Sequence, residues 1–274
     1  MALQINRILA VIDPTTDVQL ALSRALPIAH QTGASIHAYL CCYSAVETDH
    51  FLALKRAEIA RHEAWLEKVV ESENLDGLDV TTQVDWDKDW REALARTTAE
   101  YDYDLIVKAA SRHSTAGRYL LKTSDWAVLR NAHCPVLLLK RDSIAPVQRV
   151  LIAVNPNVED PKHKQLIDDI IYFGKQITAD REDSELHAVC AYTGEENFTF
   201  PTELAKLVGI DESRAHCATG SPDDVIVDCA NLLESELVVV GTVSRTGLDG
   251  VTKGNTAERA LDRLASDVLV ATAT

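Results

Sequence analysis

Arg7-Ile-Leu-Ala-Val-Ile-Asp-Pro14 returns later in the chain as Arg149-Val-Leu-Ile-Ala-Val-Asn-Pro156. Each copy starts with arginine, runs through apolar residues for the length of a strand, and ends in an Asp-Pro or Asn-Pro turn. The ends of the two halves match as well. Leu105-Ile-Val107 leads through a loop and a helical pattern to Pro135-Val-Leu-Leu-Leu139, and Leu237-Val-Val-Val-Gly241 leads through the same length to Asp267-Val-Leu-Val270. A repeat on this scale means two copies of one domain. The domains are expected at 1–143 and 147–274, with Asp142-Ser-Ile-Ala-Pro146 between them.

Short apolar runs alternate with longer helical patterns in both copies. Strands are expected at 8–12, 35–42, 79–85, 104–109 and 135–140, and again at 149–154, 185–191, 213–218, 236–241 and 267–271. Helices are expected at 17–32, 48–73, 90–101 and 122–132, then at 163–179, 202–208, 222–234 and 254–265. Val/Ile/Leu-rich strands separated by helices imply a parallel sheet covered on both faces. The expected fold is therefore α/β: two tandem flavodoxin-like doubly wound domains, each with a five-stranded, mainly parallel sheet. Right-handed crossovers place the first and fourth strands side by side, and a ligand belongs at their carboxyl ends. The copies are not equal in length. Phe51, Leu54, Ala57, Ile59, His62 and Trp65 mark a long second helix in copy one, where copy two has only Phe200-Pro-Thr-Glu-Leu-Ala-Lys-Leu-Val-Gly209. The lost cover exposes apolar surface unless a ligand, the other domain or a second chain replaces it.

The 274 residues carry 27 Lys and Arg against 42 Asp and Glu, a formal charge of −15. That balance argues against nucleic acid and anionic membrane surfaces as partners, while leaving room for a small anion held by backbone amides. Cys41, Cys42, Cys134, Cys190, Cys217 and Cys229 form no C-x-x-C pair, and most lie in apolar runs. They read as reduced thiols, with Cys41 and Cys42 on opposite faces of a strand. No signal-peptide pattern or membrane-length apolar run is present, so a cytoplasmic location is expected.

In copy two the fourth strand runs into Gly241-Thr-Val-Ser-Arg-Thr-Gly247-Leu-Asp-Gly250-Val-Thr-Lys-Gly254-Asn-Thr256. Glycines permit positive φ and close approach, and a loop entering a helix N-terminus presents amides to an anion. The same glycines would also serve a connector that merely needs to turn. On this loop and on the strand order, the chain resembles the universal stress protein family, in particular its tandem E-type members, over essentially its full length. The resemblance implies a phosphate loop of pattern G-x2-G-x9-G-[ST], here Gly241, Ser244, Gly254 and Asn255, with Ser and Asn replacing the second glycine and the hydroxyl residue. It places Val243 and Thr256 beside that loop, and Ala153, Val154, Asn155 and Ala188 toward the base and ribose of ATP or another adenine nucleotide. Family members commonly dimerise through the last strand, which implies an intrachain pseudo-dimer and a possible further homodimer.

Copy one departs from that pattern. The four loop positions are Ala109, Arg112, Lys122 and Thr123, although Asp13 stays where copy two has Asn155. All four tryptophans, Trp65, Trp86, Trp90 and Trp126, lie in this half. Either bulky groups fill a vacated crevice, or Asp13, Arg112, His113, Lys122 and Thr123 take a different anionic ligand. His37 and His187 occupy equivalent second-strand positions and read as hydrogen-bonded internal residues rather than catalytic ones. No zinc spacing, Walker motif or nucleophile–base pair is present, so no metal ligand and no catalytic residue is assigned. The expected function is stress response through binding of a nucleotide or other phosphate-containing ligand. A slow ATP hydrolase and an interaction scaffold with both crevices degenerate are the alternatives.

Overall fold

The computed structural model describes residues 4–43, 51–110, 125–126, 128–129, 132–179, 182–194, 197–243 and 256–273. They form two compact units, one built on Gln4–Ala109 and Ser124–Ile144, the other on Ala145 onward. The first contains β1 (Arg7–Val11), α1 (Leu20–Thr32), β2 (Ser35–Cys42), α2 (Phe51–Glu71), β3 (Val80–Trp86), α3 (Trp90–Glu100), β4 (Leu105–Ala109) and β5 (Val136–Leu139). Its strands lie in the order β3-β2-β1-β4-β5, and every pair is parallel. The second contains β6 (Arg149–Ala153), α4 (Pro161–Thr178), β7 (Glu185–Tyr192), α5 (Pro201–Val208), β8 (Ala215–Thr219), α6 (Pro222–Leu232), β9 (Leu237–Val243), α7 (Thr256–Arg263) and β10 (Asp267–Ala273). Its order, β8-β7-β6-β9-β10, repeats the first, again with parallel pairs.

Local chemistry explains the boundaries. Gly33 adopts a left-handed conformation at the end of α1 and donates its N–H to the Ala29 carbonyl. Ser221 accepts from the Asp224 amide ahead of Pro222, so α6 starts with an N-cap and an N1 proline. Leu166, Ile170, Ile171 and Phe173 are buried along one stripe of α4, at the spacing of a helix face turned to a sheet. Leu9, Leu40, Leu151, Ile152, Val238 and Val239 are fully buried. Each such side chain contributes roughly 1.5–3 kcal/mol relative to exposure.

Three expectations shift. The first helix starts at Leu20 rather than 17, because the Asp13 carboxylate holds Thr15 through its N–H and hydroxyl in a turn. The third strand of copy two starts at Ala215, because Asp211 caps a 3-10 turn over Glu212–Arg214. The fourth strand of copy two runs on to Val243, taking into the sheet residues expected in a loop. For the helix expected at 122–132, Asp125, Trp126, Val128 and Leu129 are helical, and the remainder lies mostly outside the described residues. The expected loss of the long second helix is evident: α2 has 21 residues and α5 has 8.

The paired histidines are internal. His37 is hydrogen bonded through Nδ1 to the Tyr103 hydroxyl. His187 Nδ1 and His216 Nε2 lie 3.1 Å apart across β7 and β8, with the rings stacked at 5.4 Å. Burial pushes the pKa of His187 down, against an opposing pull from Glu185, and Arg214 and Arg149 push it further down. Burial also lowers His216, helped by His187 itself. The native state therefore favours neutral rings. Their contribution to stability is present above the unfolded value of 6.5 and is lost as pH falls through the depressed native values. Urea unfolding followed from pH 7.5 to pH 5 should show declining stability, with a flatter decline in a His216→Gln variant. An identical slope in the variant would contradict this assignment.

Candidate functional site

The first and fourth strands of each copy are hydrogen-bonded neighbours. In copy two Val150 pairs with Leu237 and Ile152 with Val239, which brings the carboxyl ends of β6 and β9 together at the switch point. The chain leaves β6 at Ala153. Val154 remains buried and donates its N–H to the Val189 carbonyl, and Asn155 emerges exposed. The Asn155 side-chain oxygen accepts from the Asn157 amide at 3.0 Å, so the turn already uses that acceptor. These three residues carry the chain out of the carboxyl end of β6.

Two of the implied site residues are also packing residues of the sheet. Ala188 is fully buried in the middle of β7, paired with Ile152 and Ala215. Gly241 is a strand residue paired with Ala271. A Cβ there would stand 2.7 Å from Leu166 Cγ and Cδ2 and 2.9 Å from Ile170 Cδ1. Its glycine is required for α4 to lie close on β9, whatever happens at the loop. Val243 pairs with Ala273 at the last rung of β9. Ser244, Gly254 and Asn255 lie outside the described residues. Thr256 is the first residue of α7.

The helix that follows the loop is fixed by a charge cluster that the motif did not reveal. Asp223, buried at the first turn of α6, accepts from Arg259 at 3.0 Å and lies 3.5 Å from Arg263. Arg263 also bonds Asp224 at 2.6 Å. The Arg259 hydrogen bond holds the Asp223 carboxyl below the usual carboxylate range. The signal was present in sequence as Asp223-Asp224 opening one helix and Arg259, Arg263 one turn apart on another.

Copy one carries polar groups of its own at the corresponding strand ends. Gln19, 5% exposed, folds back on the first-strand turn: its Nε2 donates to the Asp13 and Thr16 carbonyls at 2.8 and 2.7 Å, and its Oε1 accepts from the Asp13 amide at 3.1 Å. Lys108, one residue before the end of β4, carries its ammonium upward to the Ala109 carbonyl at 2.8 Å and to Asp125 Oδ1 at 2.5 Å. The pair is nearly dry, with side-chain exposures of 7% and 0%. The same ammonium lies 5.4 Å from the Trp90 ring centroid. Copy two has Val240, Ala257 and Pro222 at these positions. Asp13 is thus engaged in its turn, and Arg112, His113, Lys122 and Thr123 lie outside the described residues. Lysine within Leu105-Ile-Val-Lys-Ala109, an otherwise apolar strand, was the visible sign. Among the described residues no cluster of His, Cys, Asp and Glu is arranged to hold a metal ion, and no helix is long and apolar enough to cross a membrane.

Five parallel strands in the same order in each unit, with the first and fourth adjacent, define a tandem doubly wound α/β protein. The Universal stress protein family matches residues 4–140 and 165–272, and the chain belongs to that family. Universal stress protein E of Escherichia coli (strain K12) is 28% identical over 294 aligned residues, covering 97% of this chain and 93% of that protein. The crystal structure of a candidate universal stress protein from Pseudomonas aeruginosa UCBPP-PA14 is 31% identical, covers 99% of this chain and 95% of its own, and superposes with a TM-score of 0.78. A universal stress protein from Archaeoglobus fulgidus DSM 4304 shares the fold at 15% identity, with a TM-score of 0.73 and coverage of 99% and 97%.

Two substitutions separate packing from ligand roles. Gly241→Ala should destabilise the protein by about 1–3 kcal/mol through overpacking against Leu166 and Ile170. Unchanged denaturant stability would return Gly241 to a purely ligand-facing role. Asp125→Ala should cost about 3–5 kcal/mol by leaving Lys108 buried without its carboxylate, and Lys108→Val with Asp125→Ala should recover most of that loss. Urea titrations would read both; a double variant as unstable as the single one would contradict the account of the pair.

Proposed function

We propose that this chain is a stress-response protein that works by holding one phosphate-containing ligand, an adenine nucleotide such as ATP, in its second domain. The observation that carries this reading is the asymmetry at the switch points. In copy one a buried Lys108–Asp125 pair and the inward-folded Gln19 satisfy the strand ends internally. In copy two Val240 replaces the lysine, and β9 leads toward the glycine-bearing segment and the first turn of α7. An anion bound there would meet backbone amides and the positive end of a helix dipole. In this reading Asn155 lies near the ribose and Thr256 near the phosphate, and the Asp223–Arg259–Arg263 cluster keeps α7 in place. Binding rather than turnover is the activity, with the ligand stabilising one conformation of the protein for recognition by its stress-response partners.

A cytoplasmic setting agrees with the thiol chemistry. The six cysteines are unpaired, and burial pushes Cys134 up to about 12 and Cys41, Cys217 and Cys229 up to about 11, so they stay protonated and slow to oxidise. Differential scanning fluorimetry with ATP tests the ligand reading. At a free concentration of 100 times Kd the native state gains about 2.7 kcal/mol, which raises Tm by several degrees. Gly254→Lys, which places a side chain where close approach is needed, should abolish the rise. No shift with ATP, or an equal shift in the variant, would contradict the proposal.

A further inference from the structure

Two of the six cysteines face each other across strands. Cys190 on β7 and Cys217 on β8 are register partners, and partners on parallel strands project from the same face of the sheet. Neighbouring strands lie about 4.8 Å apart. A disulfide joins Cα atoms about 4.4–6.8 Å apart, so this rung meets the spacing a bridge needs. The equivalent rung of copy one holds Leu40 and Val84, which have no such chemistry. Cys41 and Cys42 are consecutive on β2 and project to opposite faces, Cys134 precedes β5, and Cys229 lies on α6.

The two thiols differ in access. Cys190 is 1% exposed, and its Sγ lies 3.7 Å from the Ala191 carbonyl and 3.9 Å from the Thr199 hydroxyl. Cys217 is only partly buried, so small molecules in solution reach the pair from β8. The short α5 packs on these strands, where copy one has the 21-residue α2. Burial, then the neighbouring Cys190 and Glu203, push the Cys217 thiol up to about 11. Burial raises Cys190 as well. Thiols so seldom ionised ignore traces of oxidant and respond only to sustained exposure.

We propose that Cys190 and Cys217 form a reversible disulfide under hydrogen peroxide, and that the bridge fastens β8, the outer strand of its unit, to β7. Cys217 reacts first, as the accessible thiol. Its thiolate attacks one peroxide oxygen: an S–O bond forms, the O–O bond breaks, and the other oxygen leaves as hydroxide, which takes up a proton to become water. The product is a sulfenic acid. The sulfur of Cys190 then attacks that of Cys217. The S–S bond forms, the S–O bond breaks, and the departing hydroxide leaves as water with the Cys190 proton. Two thiols are oxidised by two electrons and one peroxide is reduced to two waters. The second step joins groups already side by side, so it outruns further oxidation of Cys217. A thiol reductant reverses the bond by exchange.

The test exposes the full chain, reduced and freed of reductant, to millimolar hydrogen peroxide under native conditions. Free thiols should fall from six to four, the two lost being Cys190 and Cys217. A non-reducing digest should contain one cross-linked peptide joining those residues, released by dithiothreitol. This readout on the unaltered chain requires no variant to fold. In Cys190→Ala, dimedone should trap Cys217 as its sulfenic acid, and in Cys217→Ala no cross-link should form. Amide exchange at His216 and Ala218 should slow at least tenfold on oxidation and recover on reduction. Absence of the cross-link, bridges scattered over Cys41, Cys134 and Cys229, or unchanged exchange in the oxidised chain would overturn the proposal. Because no nucleotide takes part, the result is separate from whether ATP binds.

Discussion

Adjacency of the first and fourth strands is the constraint on which everything else rests. Right-handed crossovers leave no other compact way to order a β-α-β chain that reverses direction across its sheet, and the reversal opens a gap at the carboxyl ends. In copy two the rungs Val150–Leu237 and Ile152–Val239 fix that gap to within a residue. In copy one Ile8–Leu105 through Val11–Lys108 do the same. Duplication therefore supplied two equivalent gaps, each needing either a ligand or a filling from its own side chains.

The two copies met that requirement in opposite ways. A charged pair in a dry site is costly unless both partners and their remaining hydrogen bonds are satisfied. Lys108 meets the condition with Asp125, the Ala109 carbonyl and the face of Trp90. Those contacts sit where the fourth strand hands the chain to its helix. The second copy kept valine and alanine at the paired positions and placed its charges one layer away, on Asp223, Arg259 and Arg263 between two helices. There they tie that helix to the start of α6. Shortening of the cover helix, from 21 residues in α2 to 8 in α5, belongs to the same divergence.

Much of the fold was legible in sequence because it depends on periodicity and on turn chemistry. Val/Ile/Leu runs, Gly33 and Ser221-Pro222 placed strands and helix ends within a few residues of those observed. The site was legible only as a motif. Gly241 shows why: at the head of a phosphate-loop pattern, it also sits where an added Cβ would stand 2.7 Å from Leu166, and spacing alone cannot separate those demands. The depth of Ala188 was not legible, because an equivalent strand position says nothing about burial, and its side chain is fully buried. Lys108 and Gln19 were missed for a different reason. Their partners, Asp125 and Asp13, meet them only through tertiary packing.

Native mass spectrometry of the intact chain equilibrated with ATP bears most directly on the asymmetry between the copies. The account predicts one nucleotide per chain, lost in Gly254→Lys and retained when Lys108 and Asp125 are replaced by Val and Ala. Two nucleotides per chain, or one that survives Gly254→Lys, would show that the first copy is the binding domain or an equal partner, and would contradict it.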